Sequence, residues 1–181
     1  RELLAALVGG DHAVDRVALP GVQDKVSARM INVPVVLGNA RYIMKLDPLE
    51  FPHLVVNAAF FLSAARRCGV ESAEAEVVHD AEGASGLLVR RFDRVEHPPG
   101  RAVSLPQEDA CQVLGRYPAD KYRVTTEAVI GALAGVCQAP SVAAFALLKQ
   151  VIFAYLTCNG DAHAKNFAIR HAASFFSFSM P

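Results

Sequence analysis

The string Asn159-Gly160-Asp161-Ala162-His163-Ala164-Lys165-Asn166-Phe167 concentrates more chemistry than any other stretch of the chain. Asp161 and Asn166 stand five positions apart. Phosphoryl transfer needs a carboxylate that orients the attacking hydroxyl and, a few residues on, an amide that binds a metal ion. The Asp-to-Asn spacing is that of a kinase catalytic loop. His163 and Lys165 lie between them, where a cation could neutralise a transferring phosphate. The competing reading is a polar turn that closes the apolar helix before it, with Asn159, Gly160 and Asp161 as ordinary turn residues. A bare DxxxxN would not decide between the two; the whole GDxHxKN string is much more specific.

Three further segments carry weaker signals. In Pro20-Gly21-Val22-Gln23-Asp24-Lys25 a glycine between two β-rich runs lets backbone N–H groups approach phosphates, although a plain hairpin turn fits as well. It is not a Walker A loop, since GxxxxGK[ST] is absent. Lys45 ends the run Tyr42-Ile43-Met44-Lys45, from which an ammonium can reach nucleotide phosphates or snorkel to water. The run Leu87–Val89 leads into Arg90-Arg91-Phe92-Asp93, a strand running into a polar linker. Such a linker offers backbone groups to an adenine edge, and Asp93 could accept from a ribose hydroxyl. A solvated charge run after a strand is the plainer alternative.

The elements that must position these residues divide by texture. Residues 17–95 alternate short β-rich runs with turns: Arg16–Leu19, Lys25–Val36, Arg41–Leu46, Glu76–His79 and Gly86–Phe92, the last two parted by Asp80-Ala81-Glu82-Gly83. Leu54–Cys68 is apolar at helical spacing and stops at Gly69. His97-Pro98-Pro99-Gly100 reads as the boundary between the halves. Beyond it a helix is expected to open at Pro106-Gln107-Glu108-Asp109, followed by helices over Thr126–Gln138 and Val142–Cys158. The tail, Ser174-Phe175-Phe176-Ser177-Phe178-Ser179, has neither helical spacing nor a clear partner. The prediction is an α+β fold of two lobes, β-rich over residues 1–95 and helical over 96–181.

Composition sets bounds. Of the 181 residues 52% are hydrophobic, enough for a real core, so disorder is not expected. Lys plus Arg and Asp plus Glu both total 18, so no whole-protein field favours nucleic acid or an anionic membrane. Cys68, Cys111, Cys137 and Cys158 form no CxxC pair and sit in apolar stretches, which reads as buried free thiols in a reducing cytoplasm. No signal peptide is read. The run Val142–Cys158 carries Lys149 and Gln150 and is short for a bilayer crossing, so it is expected to be a core helix and no membrane partner is expected.

These segments, in this order, together with Leu105-Pro106-Gln107-Glu108-Asp109-Ala110-Cys111-Gln112 followed by Lys121-Tyr122, resemble the HipA family of serine/threonine kinases, toxins of bacterial toxin–antitoxin pairs. The resemblance covers roughly residues 17–169 and implies a two-lobe protein-kinase-like fold. It implies ATP and Mg²⁺ as cofactors, with Pro20 to Lys25 as the phosphate loop and Lys45 on the α/β-phosphates. Arg90, Arg91 and Phe92 would form the adenine hinge, with Asp93 near the ribose. Asp161 would be the catalytic Asp. His163, Ala164, Lys165 and Asn166 would touch nucleotide phosphate, with Asn166 also on the metal. It further implies a protein substrate, with an aminoacyl-tRNA synthetase as one option, and a helix-turn-helix antitoxin through which DNA is met only indirectly. The Gln-Glu-Asp segment is read as structural only.

The chain departs from the family pattern at four places. Ala58 stands where the family has a Glu facing the Lys. Ala18 replaces the autophosphorylated Ser, and Ala168 replaces a Ser after the catalytic Asn-Phe. A second metal-binding Asp, expected some distance after Asn166, is not matched before Pro181. The helical lobe is therefore expected to be incomplete, an upstream segment to be missing before Arg1, and activity of the isolated chain to be low. The alternative is a degenerate, non-catalytic HipA remnant that binds nucleotide or an antitoxin partner.

Overall fold

The structure, a computed structural model, describes residues 30–97 and 101–171. These form two compact units. One is drawn from residues up to Ala64 together with Ala73–Val103, the other from Ala65–Ser72 together with residues from Ser104 on. The expected strand Arg16–Leu19, the phosphate-loop segment and the Ser/Phe-rich tail lie outside the described residues.

The first unit is built on a four-stranded antiparallel sheet in the order β1-β2-β4-β3. Its strands are β1 (Ile31–Leu37), β2 (Ala40–Leu46), β3 (Ala75–His79) and β4 (Ser85–Arg90). The two-residue connection Gly38-Asn39 puts Gly38 at φ 59°, a left-handed conformation that suits the twist of a tight hairpin. Side chains alternate across a strand, so β2 sends Met44 to one face and Lys45 to the other. Met44 is fully buried with Val35 and Leu88, and Val33, Tyr42 and Leu46 pack around them. Lys45 lies opposite Leu87, itself buried. It sits on an inner strand, not an edge, which disfavours the snorkelling alternative.

Helix α1 (Leu54–Arg67) follows β2. The Asp47 carboxylate fixes its entry by accepting from the backbone N–H groups of His53 (2.8 Å) and Val55 (2.7 Å). Its exit is Gly69 at φ 69°, the terminator expected from the sequence. Strands β5 (Arg94–His97) and β6 (Arg101–Ser104) pair with each other. The Pro-Pro-Gly stretch read as a lobe boundary thus lies between two paired strands, and the units part after Val103 instead.

In the second unit β7 (Gln107–Asp109) pairs antiparallel with β8 (Ala168–Arg170). The helix expected to open at Pro106 starts later, as the short α2 (Ala110–Val113). The reason is a reciprocal cap: the Asp109 carboxylate accepts from Gln112 N–H (2.9 Å), and the Gln112 side chain accepts from Asp109 N–H (2.9 Å). Helix α3 (Thr126–Gly135) is capped by Thr125. Helix α4 (Pro140–Leu156) begins at the proline, two residues before the expected start, because Pro suits the first helical turn. The core joins Ala110 and Cys111 of α2, Val129 and Leu133 of α3, Ala143 and Leu147 of α4, and Ala164, Phe167 and Ile169. Cys111 and Cys137 are buried as expected. Cys68 and Cys158 are exposed, a correction to the sequence reading: each lies just beyond the end of a helix.

Among the described residues no helix is long and apolar enough to cross a membrane.

Candidate active site

The Asp161–Asn166 loop grows out of the end of α4. Cys158 takes φ 54°, and the next N–H, of Asn159, reaches back to Ala154 C=O (2.8 Å). A left-handed residue and a backward bond of this kind close a helix and turn the chain. The Asn159 side chain then accepts from Asp161 N–H (3.1 Å), and His163 N–H donates to Asp161 C=O (2.9 Å). A 3₁₀ turn over Ala164–Asn166 follows, with Asn166 N–H on His163 C=O (2.8 Å). Ala164 and Phe167 are buried, so the loop is pinned into the core from below.

This geometry brings Asp161 and Asn166 together. The Asn166 amide nitrogen donates to Asp161 C=O (2.6 Å) and lies 3.3 Å from the Asp161 carboxylate. The Asp161 side chain is 66% exposed, so its carboxylate can meet an incoming hydroxyl. The turn reading and the catalytic reading are therefore not rivals: the loop closes a helix and, by doing so, presents a carboxylate beside an amide. With its nitrogen engaged, Asn166 has its amide oxygen left for a cation. Among the described residues no group of three or more His, Cys, Asp or Glu could hold a metal. The Asn166 amide oxygen is a hard oxygen donor of the kind Mg²⁺ takes, and the remaining positions around the ion would be filled by phosphate and water oxygens.

Lys165, expected to face a phosphate, binds Asp109 at 3.1 Å. Ala110 N–H donates to Phe167 C=O (2.9 Å) beside it. The Gln-Glu-Asp segment thus does more than build the lobe: it holds the far end of the loop. His163 is 9% exposed, and its Nε2 lies 3.0 Å from the Lys121 ammonium. Tyr122 donates to the Asp161 carboxylate at 3.4 Å, and its ring meets the His163 ring edge to face at 5.0 Å. Lys121, Tyr122 and Asp109 were missed as site residues. The signal was present in the LPQEDxCQ and Lys-Tyr motifs, but their partners lie 42, 39 and 56 residues away in the chain.

The other predicted residues belong to the first unit. Burial pulls the Lys45 ammonium below the ordinary lysine value. Arg90 N–H donates to Glu74 C=O (2.8 Å) and Arg91 N–H to Arg41 C=O (2.8 Å), so these two donors serve the sheet and are not open to an adenine edge. Asp93 is gripped by two guanidiniums. Arg91 binds it through two nitrogens (2.9 and 2.6 Å), and Arg94 adds a third bond (2.6 Å). Burial raises the Asp93 pKa, but the hydrogen bond and charge of Arg91, with the charge of Arg94, outweigh it and hold the carboxyl below its ordinary value. Pro20, Gly21, Val22, Gln23, Asp24 and Lys25 lie outside the described residues, as does Ala18.

The HipA-like C-terminal domain family matches residues 17–179. Y4mE of Sinorhizobium fredii, by its name an inferred kinase, is 33% identical over 162 residues, which are 85% of this chain and 38% of that protein. The serine/threonine-protein kinase toxin HipA of Shewanella oneidensis is 30% identical over 146 residues, 72% of this chain and 33% of that one. The chain thus spans well under half the length of these relatives. A solved structure of Shewanella oneidensis HipA with HipB and operator DNA matches with TM-score 0.75 at 22% identity, covering 99% of this chain and 48% of that one. The Helicobacter pylori proinflammatory kinase CtkA matches with TM-score 0.63 at 13% identity, covering 87% of this chain and 54% of that one. The fold is kinase-like, and the chain belongs to the HipA-like C-terminal domain family.

Proposed function

We propose that this chain carries the nucleotide-binding and catalytic-loop part of a HipA-type serine/threonine protein kinase, which transfers the γ-phosphate of ATP to a protein hydroxyl. The observation that carries the reading is the loop at the end of α4, where an exposed Asp161 carboxylate stands beside the Asn166 amide. Asp161 orients the attacking hydroxyl and takes its proton. Asn166 offers its amide oxygen to Mg²⁺, which when bound neutralises charge on the transferring phosphoryl group. Lys45 contacts ATP phosphate, and Pro20 to Lys25 supply the phosphate loop. The adenine is met near Arg90–Phe92 through groups other than the two N–H donors spent on the sheet. His163 and Lys165 act through the positions they hold and not by gripping phosphate, since Lys165 is paired with Asp109.

The whole protein is further proposed to be the cytoplasmic toxin of a toxin–antitoxin pair. The support is the kinship with HipA, a structural neighbour solved with HipB and operator DNA. The antitoxin partner is proposed on that basis, and the phosphorylated protein on family resemblance alone.

Calorimetry with Mg-ATP, paired with transfer from γ-labelled ATP, tests this. The expected result is Mg²⁺-dependent ATP binding that Asn166→Ala weakens about tenfold or more through loss of a metal ligand. No binding to the unaltered chain would defeat the nucleotide reading. Transfer is read on the whole protein, since the isolated chain is expected to turn over little; binding with no transfer there, even to a broad protein mixture, would favour a non-catalytic HipA relative.

A further inference from the structure

We propose that Lys121 and Tyr122 are positioning residues for the catalytic loop: Lys121 sets the tautomer of His163, and Tyr122 aims the Asp161 carboxylate. The proposal rests on the phosphoryl-transfer reading only in naming Asp161 as the group that is aimed.

His163 Nε2 has two neighbours with opposite demands. The Lys121 ammonium at 3.0 Å can only donate, so it needs a lone pair on Nε2. The Asp161 carboxylate at 3.5 Å can only accept, so it needs an N–H there. One nitrogen cannot serve both. The shorter contact has hydrogen-bond length and the longer one is at the limit. Nε2 is therefore the acceptor, and the imidazole proton sits on Nδ1. That nitrogen is buried and has no hydrogen-bond partner among the described residues. An imidazole left to itself would place its proton where an acceptor waits, on the Asp161 side. Lys121 holds the proton on the side without one.

The consequence falls on Asp161. With no proton on Nε2, His163 gives this carboxylate no hydrogen bond. Oδ1 is then left with the Tyr122 hydroxyl (3.4 Å), and Oδ2 with the Asn166 amide (3.3 Å). Each oxygen has one long bond, and together they fix the plane of an exposed carboxyl group while leaving lone pairs for a substrate hydroxyl. A charge-assisted bond from His163 would occupy one of those lone pairs and tie the carboxylate down. The same two residues also brace the loop mechanically. Lys121 C=O accepts from Ala164 N–H (3.1 Å), the Lys121 ammonium lies over the Tyr122 ring (4.8 Å), and that ring backs the imidazole.

Long-range ¹⁵N–¹H correlation spectra of the 181-residue chain read the tautomer directly, without any turnover. They are recorded at about pH 8, above the ordinary imidazole range. The His163 signal is identified by its loss in His163→Gln. The unaltered chain should show the proton on Nδ1. Lys121→Met should move it to Nε2, and Lys121→Arg, which restores a cationic donor, should keep it on Nδ1. Tyr122→Phe should shift the Asn166 side-chain amide signal, and the control Tyr155→Phe on the exposed face of α4 should not. A proton on Nε2 in the unaltered chain overturns the proposal, as does a tautomer indifferent to Lys121→Met. An Asn166 signal equally unmoved by Tyr122→Phe and Tyr155→Phe overturns the part assigned to Tyr122. If the phosphoryl-transfer reading fails instead, Mg-ATP binding is lost while these spectra are unchanged.

Discussion

Two aspartates, one in each unit, look alike in the sequence as polar residues that end an apolar run, and the fold treats them in opposite ways. Asp161 is 66% exposed, and the bonds to its carboxylate oxygens are long, 3.3 and 3.4 Å. Asp93 is 17% exposed and receives three bonds of 2.6 to 2.9 Å from two guanidiniums. A carboxylate that must take a proton or meet a substrate keeps lone pairs open. A carboxylate that must hold a strand end spends them. Exposure and saturation, not residue type, separate the catalytic candidate from the structural one.

The sharpest way to break this comparison is to neutralise each aspartate. Asp161→Asn is predicted to lower phosphate transfer by about three orders of magnitude, as expected for removal of a general base, while leaving thermal stability nearly unchanged. A labelled-ATP assay on the whole protein, alongside a melting curve, checks it. Equal transfer by the variant would remove Asp161 from the chemistry.

Asp93→Asn is predicted to do the reverse, costing on the order of 3 kcal/mol of stability by depriving Arg91, whose side chain is 3% exposed, of its bidentate carboxylate. The Asp93 pKa is lower folded than unfolded, so its contribution is present above the unfolded value, about 3.9, and is lost as pH falls through the folded value. Acid unfolding of the unaltered chain should therefore have a component below about pH 3.9 that Asp93→Asn lacks. Superimposable acid-unfolding curves would show that the cluster contributes nothing.

A smaller effect sharpens the contrast between the units. Lys45→Ala is predicted to weaken Mg-ATP binding by about 30-fold, roughly 2 kcal/mol for one charge-assisted contact to phosphate. Burial lowers the Lys45 pKa, so the ammonium that grips phosphate is lost at a lower pH than for an ordinary lysine. ATP affinity should fall as pH rises through that lowered value, and Lys45→Ala should flatten the decline. Calorimetry at several alkaline pH values tests this. An unchanged decline in the variant would assign it to another group.

The smallest effect lies at the hinge of the catalytic loop. Cys158 holds φ 54°, a conformation that strains a residue with a Cβ. Cys158→Gly is predicted to raise stability by about 0.5 kcal/mol, the relief of strain slightly exceeding the added freedom of the unfolded chain. A lower melting temperature for the variant would show that the Cys158 side chain contributes more by packing than it costs in strain.

Local information carried much of the fold. Strands β2, β3 and β4 and helices α1, α3 and α4 fall within a few residues of their sequence readings, because alternation, helical spacing and the terminator Gly69 are contained in short windows. The misreadings share a cause. Gln107-Glu108-Asp109 looks like a helix start by composition, yet it is a strand because Ala168-Ile169-Arg170, some sixty positions on, pairs with it. Cys68 and Cys158 sit in apolar runs but pass beyond the helix ends into solvent.

The sequence by itself determined the Asp161-to-Asn166 spacing, the placing of Lys45 on a strand and the family resemblance, since each is fixed by identity and order along the chain. Tertiary structure alone decided which of these groups are available. Whether Lys165 is held by Asp109 and which side of His163 carries the proton depend on partners brought in from elsewhere in the chain; Arg91 and Arg94 are near neighbours of Asp93 in sequence, and there the fold decides only that they turn onto its carboxylate and are buried with it. Hydrogen bonds and charges act over a few ångströms of space, and the sequence does not state which residues will lie that close.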